Sequence, residues 1–116
     1  MNSSFVRAGP QAATENIFAG INLPRIPRAS SPGELLPLLQ HRARCLKNEP
    51  GTLQFEVLAP HGDDTKLLLY EVYQSDTAFD IHRNGPSIAR FRKETAEMVM
   101  QINMTRCAVV ARAIDD

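Results

Sequence analysis

An excess of charge of either sign is missing from this chain: 13 Lys and Arg residues balance 13 Asp and Glu residues. A formal net charge of zero leaves no electrostatic footprint for DNA, RNA or an anionic membrane. It also removes self-repulsion as a barrier to association. No apolar run approaches the roughly 20 residues that span a bilayer. The start, Met1 to Arg7, has no continuous apolar segment, so neither a signal peptide nor a membrane contact is expected. The expectation is a soluble, cytoplasmic protein. Cysteine is scarce. Cys45 and Cys107 lie on separate predicted elements and form no CxxC pair, which favours free thiols over a disulfide. His41 and His61 have no ligand partners at metal spacing, so no metal is expected. A Gly-rich phosphate loop, a nucleophile elbow and internal repeats are all missing.

A chain of 116 residues implies one domain, large enough to bury a core without staples. Residues 1–13 are rich in Ser, Ala, Gly, Pro and Gln without periodicity and read as a flexible tail, leaving 14–116 as the domain. Ile17, Ala19, Ile21 and Leu23 alternate with Phe18, Gly20 and Asn22, which predicts a first strand. Pro24 and Pro27 end it, and a proline-rich insert follows over 24–32.

Ser31-Pro32-Gly33-Glu34 has the form of a capping box with proline at the first helical position. Leu35, Leu36, Leu38, Leu39, Ala43, Cys45 and Leu46 then supply an apolar helical stripe. Glu49-Pro50-Gly51 is a turn. Leu53, Phe55 and Val57 alternate with Gln54 and Glu56, as in a strand with one wet face. Leu67 to Val72 is apolar almost without a break, the pattern of a strand covered on both faces. Ser75 and Asp76 cap a helix that ends at Gly85-Pro86. A second helical stretch runs from Pro86 to about Gln101, and the last strand lies near Thr105 to Ala111.

The order β-α-β-β-α-β is the split arrangement of ferredoxin-like α+β folds, a four-stranded antiparallel sheet with helices on one face. Such a sheet has one bare face, whereas Leu67 to Val72 asks for two covered ones. A homodimer packed sheet to sheet resolves the conflict.

Glu49-Pro50-Gly51, Phe55-Glu56-Val57-Leu58, Tyr70-Glu71-Val72-Tyr73 with Ser75, and Phe79 with His82 together resemble the antibiotic biosynthesis monooxygenase family of dimeric α+β barrel proteins. The resemblance covers about residues 49–91. It implies a homodimer with a pocket between each sheet and its helices, which Phe55, Leu69, Phe79 and Phe91 would line. It also implies oxidation of quinols or other electron-rich aromatics without metal, flavin or other cofactor. The chain departs from the pattern at Tyr73, where many members carry tryptophan, and at Ser87, where a second histidine often follows the first.

His82 is the leading candidate residue. On a helical wheel it falls near the apolar centre set by Ala78, Phe79 and Ile81, so it faces inward as a general base or a satisfied core histidine. Glu71 and Tyr73 share a strand face one short loop from that helix. Glu71 would orient a neighbour or form a structural ion pair, and Tyr73 would position a ring or fill the core. Arg83, Arg90, Arg92 and Lys93 read as a solvated, self-paired face. The expected reaction is a cofactor-independent monooxygenation with His82 as base. The alternatives are an isomerase or degradative enzyme for a small polar metabolite, and a non-catalytic small-molecule-binding dimer. Haem degradation is disfavoured, because no second ligand accompanies His82 and tryptophan is absent.

Overall fold

The computed structural model describes residues 4–6, 14–22, 32–63, 65–97, 101–109 and 112–114. The elements are β1 (Ser4–Val6), β2 (Glu15–Asn22), α1 (Pro32–Asn48), β3 (Thr52–Leu58), β4 (Lys66–Tyr73), α2 (Asp76–Arg83), α3 (Pro86–Glu94), β5 (Gln101–Ala108) and β6 (Arg112–Ile114). Four strands form one antiparallel sheet in the order β3-β4-β2-β5. This is the ferredoxin-like arrangement expected from the sequence, with the helices on one face. β1 and β6 form a separate antiparallel pair, Ser4 to Ile114 and Val6 to Arg112. Three residues of the segment read as a loose tail are therefore in a strand. Their pairing partner lies more than a hundred residues away, so no local pattern could announce it.

Residue alternation sorts the sheet into two faces. Ile17, Ala19 and Ile21 of β2, Phe55 of β3, and Leu67, Leu69, Glu71 and Tyr73 of β4 are buried beneath the helices. Phe18, Leu58 and Leu68 stand exposed on the other face, where the Phe18 ring leans on Tyr70 at 4.8 Å. The expectation that Leu67 to Val72 is covered on both sides thus holds on one side within a single chain.

Three local expectations are corrected by packing. Leu53 is exposed because the register of β3 against β4 shifts between Thr52 and Gln54, which puts one extra residue on the edge strand. In α1 the buried stripe is Leu38, His41 and Cys45, while Leu36, Leu39 and Leu46 face outward. The spacing i, i+3, i+7 keeps the three on one face and admits a polar residue to it. In α2 Ile81 is exposed, since two helical steps place it about 160° from Phe79. The regular part of α3 stops at Glu94, and β5 begins at Gln101, earlier than expected. Met98, Met100 and Ala111 lie outside the described residues, as does the Ser31 cap.

Candidate active site

Four elements bring the titratable side chains together. α1 supplies His41 and Cys45, one turn apart on its buried face. Pro50 cannot continue that helix, so the chain turns at Glu49. Thr52 donates to Glu49 twice, its backbone N–H to the carbonyl at 2.9 Å and its hydroxyl to the carboxylate at 3.1 Å. Period-two alternation in β4 sends Glu71 and Tyr73 to the same buried face. α2 starts at Ser75, whose hydroxyl accepts from the Ala78 N–H at 3.1 Å, and its last turn carries His82 inward.

His82 is buried, 4% exposed, with a carboxylate on each side of its ring. Nδ1 lies 2.7 Å from Glu49 Oε1, and Nε2 lies 4.0 Å from Glu71 Oε1. The Cys45 Sγ sits 3.7 Å from Nδ1. Tyr73 donates its hydroxyl to Glu71 Oε1 at 2.5 Å and packs against His82 with ring centroids 5.0 Å apart. A Glu–His pair of this kind fixes the tautomer: with Nδ1–H given to Glu49, Nε2 keeps its lone pair on the Glu71 side.

Burial dominates the electrostatics. It raises the Glu71 carboxyl above the usual carboxylate range, against the lowering effects of the Tyr73 hydroxyl and of His82. It raises the Tyr73 phenol and the Cys45 thiol as well, so neither is a nucleophile as it stands. It lowers His41 to about 4, with His82 adding to the effect, so His41 is neutral at ordinary pH.

A cavity of about 310 Å³ opens between the sheet and the helices. His41, Glu71 and His82 supply its buried polar wall, and Phe55, Leu69, Phe79 and Phe91 belong to its apolar wall. Arg83 and Arg92 also border it, as do Ile102 and Met104 of β5. Tyr73 does not border the cavity; it stands behind Glu71, so its hydroxyl acts on the carboxylate and not on a ligand. A second hollow of about 340 Å³ lies on the far side of the same pair, with Glu49, Arg44 and Ile81 in its wall.

Sequence reasoning placed His82, Glu71 and Tyr73 together, and they are together. It missed Glu49, which it treated only as part of a turn, and His41, which it set aside. The signal for His41 was present: Leu38, His41 and Cys45 share one helical face.

The profile of the antibiotic biosynthesis monooxygenase family matches residues 27–94, more than half of the chain. The chain belongs to the antibiotic biosynthesis monooxygenase family. Among curated relatives, a mycobilin-producing haem oxygenase of Mycobacterium tuberculosis is 36% identical over 69 residues, 60% of this chain. That match spans 65% of the relative's length. Solved structures share the fold at low identity. A conserved protein of unknown function from Bacteroides thetaiotaomicron superposes with a TM-score of 0.71 at 11% identity, over 84% of this chain and 98% of that one. An antibiotic biosynthesis monooxygenase homologue from Caulobacter crescentus gives 0.67 at 16%, over 82% and 90%. Among the described residues no helix is long and apolar enough to cross a membrane.

Proposed function

We propose that this family member is a monooxygenase that acts on a quinol or another electron-rich aromatic in the cavity beneath the helices, with His82 Nε2 as the general base. The observation that carries the reading is the 2.7 Å contact that Glu49 makes, from behind, with a His82 ring that borders a cavity with a largely aromatic and aliphatic wall. The contact presents one basic nitrogen, in one tautomer, to the space where a phenolic O–H would sit. Removal of that proton gives an electron-rich anion that can pass an electron to oxygen. Phe55, Phe79 and Phe91 would hold the ring in a dry site, which keeps the anion from bulk protons. A cavity of about 310 Å³ lies at the lower end of ligand-pocket sizes, which suits a one- or two-ring aromatic. Glu49 positions the base. Glu71, held by Tyr73, borders the substrate and limits where its polar edge can lie. The exposed apolar residues Phe18, Leu58 and Leu68 support a homodimer closed sheet to sheet.

The test is oxygen consumption with a panel of simple quinols. His82→Ala should lower turnover by ~10²–10⁴ while the fold stays intact by circular dichroism. Undiminished oxygen uptake by that variant removes His82 from the chemistry.

The M. tuberculosis relative, described as a haem oxygenase, supports a second reading. His82 and His41 in the cavity wall are ligands of the type a haem iron takes, and Arg83 and Arg92 suit its propionates, but a tetrapyrrole would require the cavity to widen beyond about 310 Å³. His41 is also a companion imidazole, which the sequence reading set aside. Such a group would supply oxygen activation at iron. Haemin titration decides between the readings: a shifted Soret band that His82→Ala abolishes favours haem, and an unshifted band leaves the quinol reading alone.

A further inference from the structure

We propose that His41, Cys45 and His82 form a binding site for a zinc-class divalent ion on the inner side of the His82 ring.

The argument starts from distances. The Cys45 Sγ lies 3.6 Å from His41 Nε2 and 3.7 Å from His82 Nδ1. Tetrahedral zinc, with bonds of ~2.3 Å to sulfur and ~2.0 Å to nitrogen, separates two such ligand atoms by ~3.5 Å. One ligand atom from each of the three residues lies within 4.8 Å of the others, so the imidazoles need to close by an ångström or so. His41 and Cys45 are i and i+4 on α1, a spacing that aims both at a common point.

Glu49 stands beside these three ligands without being one of them. Its Oε1 lies 2.7 Å from His82 Nδ1, so a carboxylate flanks the site and favours a cation there. The fourth tetrahedral position is left to a water or to an incoming ligand. The donor set of two imidazoles and one thiolate suits zinc; an all-oxygen ion such as calcium or magnesium would not choose it. The support around the ligands is also of the usual kind. The His41 ring stacks on Phe91 with centroids 4.6 Å apart, and Glu49 accepts from the Thr52 hydroxyl. His41 and His82 both border the cavity, which provides the route of entry.

Binding has a chemical consequence. The ion replaces the Cys45 thiol proton and takes the lone pair of His82 Nδ1, so the ring proton moves to Nε2. An Nε2–H donates and cannot accept, so a loaded site would switch the base off. This half of the inference rests on the base assignment above; binding itself does not.

Cobalt(II) titration of the full chain, stripped with a chelator, tests the site. One equivalent per chain should give a thiolate-to-cobalt charge-transfer band and tetrahedral ligand-field bands, both removed by zinc. The band should survive Cys107→Ser and vanish in Cys45→Ser, whose zinc affinity should fall by ~100-fold. A titration of the wild-type chain without a thiolate band overturns the site, as does a band that Cys107→Ser removes. Zinc should also suppress oxygen uptake at one equivalent; full turnover of zinc-loaded protein overturns the inhibitory role. The two readings fail separately. A silent cobalt titration leaves the base assignment untouched, and an active, metal-free His82→Ala leaves the metal site untouched.

Discussion

At the scale of residues, the site is a set of buried polar groups gathered around one imidazole. His82 is the centre, with Glu49 on one ring nitrogen and Glu71 near the other. Glu49 is a positioning residue, which gives it a signature distinct from that of a substrate contact. Glu49→Gln keeps the shape, but its amide can present a donor as well as an acceptor, so it no longer holds the ring in one tautomer. It should lower kcat by at least ~10-fold with KM little changed, and Glu49→Asp should recover part of the loss. Steady-state oxygen uptake checks this; an unchanged kcat would leave Glu49 as packing. His82, Glu71 and Tyr73 were legible because strand and helix periods place side chains on faces. Glu49 was not, because a turn has no period, and the partner of its carboxylate is 33 residues away.

At the scale of elements, the turn that carries Glu49 is clamped against α2. A Cβ on Gly51 would meet the Ala78 Cβ at 2.5 Å, and the Gly51 carbonyl accepts from the Gln74 N–H at 2.8 Å. This close approach, and not a special dihedral angle, is why glycine stands there. Gly51→Ala should therefore push α2 away from the turn and cost about 1–3 kcal/mol of stability. Adding Ala78→Gly removes the clashing atom and should restore part of that loss in spite of its helix penalty. Urea denaturation of the single and double variants measures the coupling. Element order, the Ser75 cap and the Gly85-Pro86 break were readable from local chemistry. The β3 bulge at Leu53 and the exposed Leu36 and Leu39 were not, since each depends on what the neighbouring element leaves uncovered.

At the scale of the whole molecule, a single chain leaves one sheet face open, with Phe18 52% and Leu68 38% exposed. We expect sedimentation equilibrium to give a dimer, and Phe18→Asp with Leu68→Asp to shift it to monomer. A wild-type monomer at micromolar concentration would leave that face to another partner. The sequence by itself determined the order of the four main strands and their helices, the antiparallel α+β class and the inward placement of Phe79 and His82, because hydrophobic period and capping act over a few residues. Only the tertiary structure decided that Glu49 meets His82, that His41 and Cys45 stand beside them, and that a cavity remains at their edge. Those relations join α1, a turn, β4 and α2, and the distances between side chains so far apart in the chain are set by packing alone.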